Sequence, residues 1–131
     1  MKLLHIGDVV GAAGSRFLQE RLPNIKRTHK IDMTVVNGEN SAQGNGITKH
    51  SMEQIFSAGA DVITTGNHCF KRREALAIYD NPVVLRPANY PEGCVGHGIC
   101  TIDFGPCQVA VLNLSGTAYL DPLDIPFTVV E

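Results

Sequence analysis

The sequence predicts an α/β domain, a mostly parallel sheet with flanking helices and a C-terminal β-hairpin. Three observations predict it. Apolar stretches run three times into a glycine and then at once into oxygen or nitrogen ligands: Ile6-Gly7-Asp8, Val36-Asn37-Gly38-Glu39-Asn40 and Thr65-Gly66-Asn67-His68. The intervals from Asp8 to Glu39 and from Glu39 to Asn67 each match one strand-helix-strand unit of about 30 residues. Beyond them, Gly105-Pro106 joins two strand-like runs as a hairpin turn rather than another crossover.

Leu3 to Ile6 reads as a buried first strand, followed by a loop from Gly7 to Gly14. A helix is expected from about Ser15, with Phe17, Leu18, Leu22 and Ile25 on one face and Pro23 bending or restarting it. Met33 to Val36, rich in β-branched residues, suits an interior parallel strand. The loop Ser41 to Ile47 leads to Thr48, an N-cap for a helix whose face is Met52, Ile55 and Phe56 and whose stop is Gly59. Val62 to Thr65 is the third strand, Arg72 to Tyr79 a third helix, and Val83 to Leu85 a short fourth strand after Asn81-Pro82. Arg86 to Gly98 is a loop, and Ile99 to Phe104 with Gln108 to Leu112 forms the hairpin. No element is predicted after Ser115; residues 1–131 read as a single domain, truncated because no closing helix follows Val130-Glu131.

A chain of 131 residues can bury a real core, and 44% apolar with 18% charged residues is ordinary for a soluble domain. No apolar run approaches a membrane span, and Met1 to Ile6 breaks at Gly7-Asp8 before reaching signal-peptide length, which predicts a cytoplasmic protein. A net charge of -2, with Lys71-Arg72-Arg73 as the basic cluster, disfavours duplex DNA. Cys69, Cys94, Cys100 and Cys107 lack zinc-site spacing and are expected as free thiols. Gly-x-Gly-x-x-Gly, Gly-Lys-Ser/Thr and Gly-x-Ser-x-Gly are all absent, so dinucleotide, P-loop and serine hydrolase readings are disfavoured.

Residues just beyond the carboxyl ends of parallel strands converge on one rim. Asp8 and Glu39 are hard anionic ligands there, and one carboxylate bridging two metals is an economical way to hold a cation pair. Asn40 and Asn67 add amide oxygens, and His68 is placed to protonate a leaving alkoxide. Each has a structural alternative: a loop cap at Asp8, an Asx turn at Glu39-Asn40, a helix-entry cap at Asn67-His68. Arg86, Asn89 and Tyr90 follow the fourth strand as candidate substrate contacts, with Arg86 pairing with phosphate and Tyr90 stacking on a base. A loop anchored by Arg86 on backbone carbonyls is the alternative. His5 is expected as a buried, hydrogen-bonded histidine, and His29, His50 and His97 as surface or loop residues.

At Gly7-Asp8-Val9-Val10-Gly11, Asn37-Gly38-Glu39-Asn40, Gly44-x-Gly46-Ile47-Thr48, Thr64-Thr65-Gly66-Asn67-His68 and Leu85-Arg86-Pro87-Ala88-Asn89-Tyr90-Pro91, the chain resembles the YmdB-type metallophosphoesterases. These are bacterial cytoplasmic enzymes of the calcineurin-like superfamily. The resemblance implies half of a calcineurin-like sandwich and hydrolysis of phosphodiesters, 2',3'-cyclic and also 3',5'-cyclic nucleotides, with RNA ends as a further substrate class. It implies a homo-oligomer with two metal ions per complete site, Fe or Mn ahead of Mg or Zn. Asp8, Glu39 and Asn40 would serve one metal, Glu39 would bridge, Asn67 would serve the second, and His68 would donate the proton. Family members are about twice as long, and three histidines of their second half complete the metal spheres. The chain therefore corresponds to the amino-terminal half, and the alternative function is a non-catalytic nucleotide-binding or protein-interaction fragment.

Overall fold

The computed structural model describes residues 1–131. Strands β1 (Leu3–Ile6), β2 (Met33–Asn37), β3 (Val62–Thr64) and β4 (Val84–Leu85) form one parallel sheet in chain order. Helices α1 (Gly11–His29) and α2 (Lys49–Ala58) and a 3-10 helix (Arg73–Asp80) make the connections. Strands β5 (Ile99–Asp103) and β6 (Gln108–Leu112) pair antiparallel as a separate two-stranded sheet, and a short helix α3 (Pro126–Val130) follows.

Side chains alternate across a strand, and the two faces of the parallel sheet have different cover. Val36, Ile63 and Val84 face the helices and join Leu18, Leu22, Ile47, Ile55, Ile78 and Tyr79 in the larger core. Met33, Val62 and Leu85 face the other way, against Cys100, Ile102, Val109 and Val111 of the hairpin. The hairpin is thus a second layer, tied to the parallel sheet at the Leu85–His97 bridge rather than extending it. That is the α/β half-sandwich the sequence predicts.

Several local expectations change. Helix α1 starts at Gly11, four residues before Ser15, because Gly11 turns at φ +56° while its N–H reaches the Asn40 carbonyl at 2.8 Å. It runs through Pro23 without restarting; Pro23 lies on the exposed side of the helix, and the packed side is held by Leu18 and Leu22. Phe17 is 63% exposed and Ile25 also reaches solvent, so the buried face of the helix is narrower than the expected one. The segment after Arg72 winds as a 3-10 helix, and α3 forms where no element is expected.

Strand β1 is at the sheet's edge, not in its interior. Leu3 and His5 are exposed while Leu4 and Ile6 are half-buried against the helices, so the expectation of a buried, hydrogen-bonded His5 fails. Beside this edge lie an apolar cavity of about 290 Å³ against α1 and a groove of about 580 Å³ against β6. His29, His50 and His97 are exposed and all four cysteines are free, as expected. No helix is long and apolar enough to cross a membrane.

Thr48 caps α2 as predicted. Its hydroxyl accepts from the Ser51 N–H at 3.2 Å, and the Ser51 hydroxyl accepts from the Thr48 N–H at 3.0 Å. Thr48→Ala should therefore cost about 1 kcal/mol and lower Tm by roughly 3 °C, measured by chemical and thermal denaturation.

Candidate active site

The site grows from the loops at the carboxyl ends of β1, β2 and β3. Val9 N–H donates to the Asn37 carbonyl at 3.0 Å and Gly38 N–H to the Thr64 carbonyl at 3.0 Å, so each loop is stitched to its neighbour by backbone. Gly38 is closely walled by Ile55, Ile63 and Ile47, and the chain turns there at once: Ser41 N–H returns to the Gly38 carbonyl at 3.0 Å, with the Ser41 hydroxyl on the same oxygen at 2.7 Å. Glu39 and Asn40 are the two residues inside that turn.

The Glu39 carboxylate lies directly over Gly66. A Cβ at position 66 would stand 2.5 Å from Oε1 and 2.7 Å from Oε2, so glycine is what admits the carboxylate. There Oε2 accepts the His68 N–H at 2.9 Å. Asn40 bridges the other two members: its Nδ2 donates to Asp8 Oδ2 at 2.8 Å and its Oδ1 lies 2.7 Å from His68 Nδ1. A carboxylate only accepts, so the Asn40 amino group must face Asp8 and its oxygen must face the imidazole. That fixes the proton on Nδ1 and leaves Nε2 to exchange a proton with a ligand.

Asp8, Asn40, His68 and Glu39 thus form one connected line across three strand ends. Asn67 is exposed on the same turn, one residue before His68. The oxygen donors suit a hard or borderline divalent cation. No three His, Cys, Asp or Glu side chains converge closely enough to hold one by themselves.

The residues after β4 are arranged differently from the expectation. Asn89 is fully buried, its Nδ2 donating to the carbonyls of Ser115 and Asp124 at 2.9 and 3.0 Å and its Oδ1 accepting the Ser115 N–H at 2.9 Å. With every polar atom engaged, it tethers the C-terminal segment and does not contact a substrate. Arg86 is half-buried and donates to the Pro87 carbonyl at 2.8 Å, which is the loop-anchor alternative. Tyr90 packs against Phe70 in a T-shaped pair, with centroids 5.3 Å apart. The ring is half-buried in that contact.

A layer that sequence reasoning missed lies beneath the site. Tyr79 donates to the Cys69 carbonyl at 2.7 Å, and Asn113 Nδ2 donates to the carbonyls of Thr65 and Leu85 at 2.7 and 3.0 Å. Together they close the ends of β3 and β4 from inside. An Asn directly after a strand is the signal available in sequence for Asn113; Tyr79 has none. Burial raises both the Tyr79 and Tyr90 hydroxyls and pushes the Cys69 thiol up to about 11.

Parallel strands delivering acid, amide and imidazole to one rim, backed by a hairpin layer, define the α/β half of a calcineurin-like phosphoesterase sandwich. A family model described as YmdB-like protein matches residues 4–131, and the chain belongs to that family. It is 42% identical over 128 residues to the 2',3'-cyclic-nucleotide 2'-phosphodiesterase of Bacillus subtilis, covering 97% of this chain and 48% of that protein. A putative phosphatase/phosphodiesterase of Mycoplasma genitalium is 30% identical, with 100% and 47% covered. A crystal structure of a hypothetical protein from Thermus thermophilus superposes with a TM-score of 0.93 at 35% identity, over 99% of this chain and 51% of that one. A novel phosphatase of Mycoplasma pneumoniae gives a TM-score of 0.92 at 28% identity, covering 99% and 49%. The chain spans about half the length of the relatives it matches.

Two outcomes follow from the buried groups. Asn89→Ala strands the Ser115 N–H and should lower unfolding stability by about 2 kcal/mol, read from urea titration. Because Cys69 is held protonated up to about 11 against an ordinary 9.0, the unfolded chain loses that proton first. Stability should fall as pH rises through that window, and a thiol reagent at neutral pH should label exposed Cys107 well before buried Cys69.

Proposed function

We propose that this chain supplies the nucleophile-activating and proton-donating side of a dimetal phosphodiesterase acting on small phosphodiesters, 2',3'-cyclic nucleotides first. The observation that carries the reading is the line Asp8–Asn40–His68–Glu39 at three adjacent strand ends. The 42% identity to a 2',3'-cyclic-nucleotide phosphodiesterase supports the substrate class. In the reading, 3',5'-cyclic nucleotides and RNA ends are further substrates, and the protein is a cytoplasmic homo-oligomer.

Asp8, Glu39, Asn40 and Asn67 would hold the metals, with Glu39 bridging; Fe or Mn suits the mixed donors best, and Mg or Zn is compatible. Bound metal would supply an activated water and offset charge on the phosphoryl oxygens. The remaining steps belong to the chain itself. Asn40 keeps the His68 proton on Nδ1, and the Glu39 carboxylate holds the His68 backbone so that the ring keeps its place. From Nε2 the imidazolium gives a proton to the leaving oxygen, a step worth about 10²–10⁴-fold in general acid catalysis.

The test pairs metal analysis with turnover of 2',3'-cyclic AMP and bis(p-nitrophenyl) phosphate after incubation with Mn²⁺ or Fe²⁺. Glu39→Gln should lose both metal and rate, whereas His68→Gln should keep metal and lose about 100-fold in rate. Unchanged metal content and rate in Glu39→Gln would overturn the assignment. Nucleotide retention with no metal-dependent turnover would instead support the alternative, a non-catalytic nucleotide-binding fragment.

A further inference from the structure

We infer that Arg72 is a positioning residue for this site: its guanidinium clasps the loop that follows Glu39 and Asn40 onto the segment that follows Asn67 and His68. The basic run Lys71-Arg72-Arg73 has no part in the phosphodiesterase reading above, and the structure gives its middle member a definite task.

The loop from Ser41 to Ile47 is thinly bonded to itself. Gly44, Asn45 and Gly46 all have positive φ, at +75°, +70° and +82°, the left-handed region that glycine and asparagine enter most readily. One internal backbone bond closes the loop, Ala42 N–H to the Gly46 carbonyl at 3.0 Å. Its base is fixed by Ser41, which bonds Gly38 and Ser51. Its tip is fixed by Arg72.

Arg72 Nε donates to the Asn45 carbonyl at 3.0 Å and Nη2 donates to the Gln43 carbonyl. The loop backbone also rests on the side chain's stem: a Cβ at Gly46 would lie 2.8 Å from Arg72 Cγ and 3.3 Å from Lys71 Cβ. Glu74 stands 3.6 Å from Nη1 and holds the remaining side of the fork. Nε and Nη2 thus hold loop backbone on one edge of the fork, while Nη1 faces Glu74.

Arg72 is joined stiffly to the site. Cys69 N–H bonds the Gly66 carbonyl and Lys71 N–H bonds the His68 carbonyl, each at 3.0 Å, so successive turns connect Gly66 to Arg72. The seam between the two loops is therefore closed at its inner end by His68 with Glu39 and Asn40, and at its outer end by Arg72. Releasing the outer clasp leaves the tip held by the Ala42–Gly46 bond alone and loosens the Asn40–His68 contact.

This inference rests on the reading of the Asp8–Asn40–His68–Glu39 cluster as the reaction site, and its test uses no metal or substrate, so the two can fail separately. Arg72→Gln and Arg72→Lys would be compared with the parent protein by amide hydrogen exchange and ¹⁵N correlation spectra. In Arg72→Gln the His68 backbone amide and the Asn40 side-chain amide should shift, and His68 should exchange about tenfold faster. Arg72→Lys, keeping the stem and charge with one donor direction, should fall between, with Val36 and Ile63 unchanged in both. Faster exchange confined to Gln43–Gly46, with His68 and Asn40 at their parent positions, would overturn it. Should Arg72→Gln fail to fold, parent-like His68 and Asn40 signals in Arg72→Lys would overturn it alone.

Discussion

The Glu39 carboxylate seated over Gly66 is the contact on which the site depends. It joins the loop after β2 to the loop after β3 through a charge-assisted bond to the His68 N–H, and it does so where a side chain at 66 would collide with it at 2.5 Å. Because Glu39 sits inside a two-residue turn closed by Ser41 on Gly38, its position is set by backbone before any ligand arrives. Asn40 is placed by the same turn, and through Asn40 so are the Asp8 contact and the tautomer of His68. One turn thus fixes the relation among residues from three strands.

That turn stands on a floor of satisfied buried polar groups. Burying an amide or hydroxyl without a partner costs more than the bond returns, so such groups act as geometric constraints rather than as large stabilisers. Tyr79 on Cys69, Asn113 on Thr65 and Leu85, and Asn89 on Ser115 and Asp124 are all of this kind. They bind the site loops, the ends of β3 and β4 and the C-terminal segment into one unit. The hydrophobic cores on the two sheet faces hold the layers together, while these amides and the phenol fix where the layers end.

The sequence was informative where local chemistry decides structure. The glycine-then-ligand repeat located the ends of β1, β2 and β3 and brought Asp8, Glu39, Asn40 and His68 to one rim, because residues just past successive parallel strands fall on the same edge of the sheet. Thr48 and Gly59 bounded α2 because capping is local. Tertiary context decided the rest. Gly11-Ala12-Ala13-Gly14 looks like loop until Gly11 is seen bonding Asn40, and His5 looks buried until β1 is seen at the edge. Asn89 and Tyr90 have the composition of a binding loop, yet polar residues after a strand serve a neighbouring loop as readily as a ligand. Arg72 was noted only as charge, since nothing local shows that its partners are carbonyls 27 and 29 residues away.

The charge at the rim links the two parts of the functional proposal. The ion pairs of the fold lie elsewhere: the amino terminus with Asp32, Lys26 with Asp61, Lys49 with Glu53 and Arg72 with Glu74. Glu39 has the His68 imidazole as its basic neighbour, with Nδ1 at 3.9 Å, and Asp8 has an amide in place of a cation. Two carboxylates with so little compensation attract divalent cations and repel a phosphodiester. An anionic substrate therefore suits this rim only once cations have reversed its sign. Phosphodiester hydrolysis and metal binding at Asp8 and Glu39 are then one hypothesis, since the first cannot be held without the second.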